Sequence, residues 1–277
     1  MNIVVDSGCD SSAELEKLHA LKLTRVPLSL QLDGKDYIDN EDLNVASYVE
    51  NMGKAAGAAR TAAPAPHHFF EKFKREGSVF CVTLSSKLSA SYSNAVLAKN
   101  MYLDEIGNKF IHVFDSFSAS VAETVIAVKI NEMIKAKLSE NEIVEKVNSY
   151  ISNLRTYFIL DKYDNLVKNG RVSPYMAKLA SFLSIRPIGI ARDGEIAMCG
   201  KSRGYNNAVA KLLDIIGADK TDLSTRTLGI SHVRAVEKAN EFKKQVLKRF
   251  NFKEVFIVDA SGLVATYADK SGIIISY

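Results

Sequence analysis

The chain has 277 residues, 36 Lys and Arg against 32 Asp and Glu, and a formal net charge of +4, with 47% hydrophobic and 25% charged residues. That is the balance of a globular protein with room for one large domain or two smaller ones, and the mild positive charge is weak ground for a nucleic-acid partner. Three widely spaced cysteines, Cys9, Cys81 and Cys199, make neither a disulfide framework nor a zinc knuckle, and no apolar run is long enough to span a bilayer.

The cysteine usage fits reduced thiols and a cytoplasmic address, and Met1 to Asp6 lacks the basic-then-apolar layout of a signal peptide, with Ile3 to Val5 reading as the first strand. Ser11 with Glu14 has the spacing of a capping box for a helix to about Lys22. Val26 to Leu32 is extended, and Asp33-Gly34 predicts a hairpin returning through Tyr37. Asn44 caps a helix ending near Gly53. Pro64 and Pro66 then hold Arg60 to Pro66 as an extended loop before a helix over His67 to Arg75.

Phe80 to Leu84 is a short apolar run of buried-strand type, followed by Ser85, Ser86, Ser89, Ser91 and Ser93. The pattern turns helical from Ala90, which makes Ser89 the expected N-cap. Such a strand–loop–helix junction favours an anion. Phe110 to Phe114 is the next strand and ends in Asp115-Ser116-Phe117-Ser118. Two helices follow, one striped by Val121, Val125, Val128, Met133 and Ile134, the other over Asn141 to Leu154. A strand from Tyr157 to Leu160 is expected to complete this half. Alternating strands and helices predict a parallel sheet with both faces covered and a ligand at its strand C-terminal edge.

The second half opens near Asp161. Gly170 stands at the C′ position of a helix, and Ser173-Pro174 starts another to about Leu183. Arg192-Asp193-Gly194 predicts a hairpin between Ile185 to Ala191 and Glu195 to Cys199. A helix over Asn206 to Ile216, a strand over Arg226 to Ser231 and a helix over Ala235 to Phe250 lead to strands at Val255 to Val258 and Ile273 to Tyr277. Lys238, Lys243, Lys244 and Lys248 read as a solvated helix face.

The chain lacks a G-x-S-x-G elbow, a Walker loop, a G-x-G-x-x-G and an H-E-x-x-H. Adjacent His67 and His68 point apart on a helix, which argues against a shared metal. A nucleophilic Ser85 or Ser89 would need a positioned base, and nothing in the spacing selects His112 or His232. A hydroxyl-rich site with one or two arginines suits a binder of a carboxylate or phosphate better than a catalyst.

Six stretches in order resemble the DegV family of bacterial fatty-acid-binding proteins. They are Asp6-Ser7, Thr61 with Pro64, Ser85 to Tyr92, Asp115 to Ser120, Asn169 to Ser173, and Lys201-Ser202-Arg203. The resemblance implies a two-domain α/β fold, with a parallel sheet covered by helices on both faces in residues 1–160 and a second α/β domain in 161–277. A long-chain fatty acid would lie in a tunnel between them. Family members present that acid to a separate fatty-acid kinase, which phosphorylates its carboxylate. Carried over by position, Thr61 and Ser89 would hydrogen-bond the carboxylate and Arg171 would lie near it. No cofactor, metal, catalytic residue or nucleic acid is implied, and transient membrane contact stays open. Arg171, Lys201 and Arg203 are candidates for a basic rim where the kinase docks.

The chain also departs from the family pattern. Ala62 and Ala65 stand where the family's loop has serines, and Tyr267-Ala268-Asp269-Lys270-Ser271 replaces its His-x-Gly-Pro-Gly. Tyr267 therefore offers a neutral hydroxyl at the head-group position where histidine is usual. The alternative is another small anionic metabolite, bound or transformed on the same scaffold.

Overall fold

The computed structural model describes residues 1–172, 176, 178 and 185–277. The helix expected from Ser173-Pro174 to about Leu183 lies outside the described residues apart from Met176 and Lys178.

The first sheet is parallel, in the order β2 (Leu23–Val26), β1 (Asn2–Asp6), β6 (Val79–Thr83), β7 (Ile111–Asp115). Its strands read as continuous apolar runs because both faces are covered. Val4 and Cys81 point toward α3 (Pro66–Phe73) and α4 (Ser91–Glu105), packing with Phe69, Phe73, Ala95 and Ala98. Ile3, Val5, Phe80 and Val82 point the other way, onto α5 (Val121–Lys135) and α6 (Glu140–Ser152). This is the period-two alternation of a strand.

A second, mixed sheet runs β10 (Glu195–Arg203), β9 (Ile185–Arg192), β8 (Thr156–Ile159), β13 (Ile273–Ser276), β11 (Thr227–His232), β12 (Glu254–Asp259). One face is covered by α8 (Tyr205–Ala218) and α9 (Val236–Arg249), through Leu212, Ile216, Phe242 and Val246. Helix α5 is buried between the two sheets: Ile126 and Ile130 meet the first, Val121 and Val125 the core of the second. That is why α5 is apolar nearly all round.

The strand expected to complete the first half belongs to the second sheet. β8 pairs antiparallel with β13 and β9, so the chain changes sheets between α6 and β8. Four consecutive buried residues identify a central strand, but they carry no label for the sheet it joins.

Between the sheets, the hairpin β3 (Ser29–Leu32) and β4 (Lys35–Ile38) takes β5 (Arg60–Ala62) as a third strand and packs Leu30 against Tyr48 of α2 (Val45–Lys54). The expected turn at Asp33-Gly34 is present, with φ of 47° and 77°. Helix α1 (Ala13–His19) begins one residue later than expected, capped by Ser12 accepting the Leu15 N–H at 3.2 Å. Asp10 immediately before is drawn into the interior by Ser120 and Ser231. The helix expected to end at Gly170 is the short α7 (Asp164–Lys168), whereas a second short helix, α10 (Gly262–Ala268), has no counterpart in the sequence reading. No helix among the described residues is long and apolar enough to cross a membrane.

Candidate functional site

The C-terminal edge of the parallel sheet faces the second sheet across a cavity of about 280 Å³. Its walls are mainly aliphatic and aromatic, with Leu84, Phe158, Leu160, Leu263, Val264 and Ile274 among them. Thr61, Ser89, Arg171 and Tyr267 all line this one cavity, although they come from four separate elements.

Each is placed by identifiable contacts. Thr61 lies on β5, opposite Leu30 of β3. Tyr267 is near the end of α10, and its phenol oxygen is 2.7 Å from Thr61 Oγ1. Helix α10 is seven residues long and is held from outside itself. Asp39 accepts the Gly262 and Leu263 N–H groups at 2.8 and 3.0 Å, placing a carboxylate at the helix N-terminus. Asp10 accepts from the Ser261 N–H at 2.7 Å and from the Ser120 and Ser231 hydroxyls at 2.5 and 2.6 Å.

The serine loop is equally bound. The buried Asp6 carboxylate accepts the Gly8 and Leu84 N–H groups. Ser85 donates from its hydroxyl to the Gly194 carbonyl at 2.7 Å, clamping the β9–β10 hairpin tip onto the loop. That tip is the hairpin predicted at Arg192-Asp193-Gly194, turning at Asp193 and Gly194 with φ of 52° and 84°. Helix α4 starts at Ser91 with Ala90 in the cap position, so Ser89 is not itself the N-cap residue. Its Oγ nevertheless accepts the Ser91 N–H at 3.2 Å and lies 3.2 Å from Ser91 Oγ.

Arg171 is presented by the end of α7. The Arg171 N–H reaches the Leu166 carbonyl at 2.7 Å and the Gly170 N–H the Val167 carbonyl at 2.9 Å, a Schellman motif closed by Gly170 at φ 69°. The guanidinium donates from Nε to the Leu88 carbonyl at 2.6 Å and from Nη1 to Asn169 O at 2.8 Å. Two of its five donors thus bind it beside Ser89. Asn169 also donates to Ala59 O, tying this turn to the start of β5.

Lys201 and Arg203 do not join this group. Glu195, at the start of β10, lines the cavity, but Lys201 and Arg203 pair with Pro187 and Ile185 further along the hairpin. Neither side chain is among those that line the cavity. Of the proposed basic rim, only Arg171 is at the cavity.

No histidine lines the cavity among the described residues. His112 lies on β7 beside Phe114, and burial lowers its pKa; His232 contacts Asp259 and the Ala235 N–H. No group of three or more His, Cys, Asp or Glu among the described residues is arranged to hold a metal ion.

Residues 1–277 match the family model described as an uncharacterised protein of the DegV family. The chain belongs to the DegV family. A DegV domain-containing protein of Streptococcus gordonii is 32% identical over 276 residues, covering 99% of this chain and 98% of its own. Among solved structures, a DegV protein of Ruminococcus gnavus with vaccenic acid superposes with a TM-score of 0.93 at 35% identity, covering 100% of this chain and 99% of that one. A DegV protein of Eubacterium eligens loaded with heptadecanoic acid gives 0.93 at 28%, covering 100% and 98%. The Streptococcus pneumoniae Fatty Acid Kinase (Fak) B3 protein loaded with linoleic acid gives 0.90 at 29%, covering 100% and 99%.

Sequence reading missed Asp10 and Asp39, which place this DegV protein's α10 and hence Tyr267. Asp10 directly follows the first strand's turn, a position that could have raised it as a candidate. Asp39 acts on residues more than two hundred positions away, and no local signal announces that.

Proposed function

We propose that this protein binds a long-chain fatty acid in the cavity between its sheets, with the carboxylate at Thr61, Ser89, Arg171 and Tyr267, and presents that carboxylate to a fatty-acid kinase. The observation that carries the reading is that one mainly apolar cavity is lined by Thr61, Ser89, Arg171 and Tyr267 together, with Arg171 the one cationic side chain on its walls among the described residues. A ligand fitting it has one anionic group and a long apolar remainder.

The physical division of labour follows. Each buried methylene contributes about 0.8 kcal/mol, so the tail supplies affinity and the head-group residues supply orientation. Hydroxyl donors and one guanidinium can hold a carboxylate without activating it. Related DegV proteins loaded with vaccenic, heptadecanoic and linoleic acids support the ligand class, and the likeness to the pneumococcal Fatty Acid Kinase (Fak) B3 protein supports the kinase partner.

Solvent extraction of the purified protein followed by gas chromatography tests the reading. Near-stoichiometric long-chain fatty acid is expected. Finding none, together with no uptake of added oleate or palmitate, would refute it.

A further inference from the structure

The sheet that walls the cavity contains a cross-strand pair of unusual closeness. Phe158 on β8 lies opposite Gly189 on β9. A Cβ placed on Gly189 would fall 2.0 Å from Cζ of the Phe158 ring, with Cε2 and Cε1 at 2.1 and 2.6 Å. The Gly189 backbone is outside the left-handed region, so its φ does not demand glycine. The ring does. It rests on the bare backbone of β9, where any other residue would hold it off. Tyr163 flanks the ring, with centroids 6.4 Å apart, and is anchored by its hydroxyl to the Pro187 carbonyl at 3.3 Å. The ring also lines the cavity.

We propose that the Gly189–Phe158 pair sets the length of acyl tail this protein accepts. This rests on the fatty-acid reading above. The flat ring leaves space that a tail can fill, and a side chain at 189 would lift the ring into that space. Carbon atoms in contact sit about 3.5–4.0 Å apart, so a methyl at 189 displaces the ring by about 1.5–2 Å. That is roughly one C–C bond of tail. Each methylene denied burial weakens binding about fourfold.

Competition of dodecanoic and octadecanoic acids against a fluorescent fatty acid measures the effect, with circular dichroism melts to confirm folding. In Gly189→Ala, affinity for octadecanoic acid should fall at least about fourfold relative to dodecanoic acid. Gly189→Ala with Phe158→Leu, which removes the ring the methyl would push, should restore the wild-type ratio. Phe158→Leu alone should move the preference toward the longer acid, and this variant keeps the test available if the alanine variant fails to fold. An unchanged ratio in the folded single variants, or a double variant no better than Gly189→Ala, overturns the inference. If the wild type binds neither acid, it is the fatty-acid reading that fails, and the length assignment falls with it.

Discussion

Thr61 and Tyr267 bring two hydroxyl hydrogens to the cavity, and their 2.7 Å contact uses one of them. One hydrogen is left for a ligand carboxylate, and either residue can supply it. Tyr267→Phe leaves the Thr61 hydroxyl free to donate to the ligand; Thr61→Val leaves Tyr267 free in the same way. Each single change removes the mutual hydrogen bond from free and bound protein alike. It should therefore cost about 0.5–1.5 kcal/mol of stability while moving lipid affinity by only a few-fold. The double variant has no hydroxyl left, and the lost bond to an ionised acceptor is worth about 1.5–3 kcal/mol. Affinity should then fall by roughly 13- to 160-fold, well beyond the product of the single effects. Displacement of a fluorescent fatty acid at one pH, with thermal melts of all four proteins, measures both quantities. A Thr61→Val variant as weak as the double variant would refute the shared donor and reduce Tyr267 to packing. A double variant that binds like the wild type would remove both residues from the head group.

On the proposed head-group role, Ser89→Ala should weaken binding by roughly 13- to 160-fold, with about 1 kcal/mol of stability lost through the Ser91 N–H that Ser89 accepts; a melting shift at unchanged affinity would make it structural only. Gly170→Ala forces an L side chain into a φ of 69°, and should cost about 1–2 kcal/mol in melts and loosen Arg171, read as weaker lipid binding. Charge reversal at Lys201 and Arg203 should leave fatty-acid affinity unchanged in the same displacement assay, since neither side chain lines the cavity. Burial pushes the Asp6 and Asp10 carboxyls up to about 6, against the hydrogen bonds they accept. Their folded pKa values lie above the unfolded ones, so the stability they contribute is complete below about pH 4 and is lost as pH rises through about 6. Asp6→Asn should flatten that part of the stability profile in melts across the same window; an unaltered slope would show that Asp6 does not titrate there.

The local elements were legible because their signals are local. The apolar runs of β1 and β6, the turns at Asp33-Gly34 and at Arg192-Asp193-Gly194, the Asn44 cap and the Gly170 helix end are each specified by a few adjacent residues, and each lies within a residue or two of its expected place. The candidate site residues were reachable only through the resemblance, since Thr61, Ser89, Arg171 and Tyr267 are unremarkable in isolation. What the tertiary structure alone decided is adjacency. It put β8 into the second sheet, because four buried residues can pair with any strand that meets them in register. It made a helix of Gly262–Ala268, a stretch too short to hold itself, through the carboxylates of Asp10 and Asp39. It put Arg171, but neither Lys201 nor Arg203, on the wall of the cavity. It also laid Phe158 on Gly189, thirty-one positions away, because which strands pair across such a separation is settled only when both take their places in the sheet.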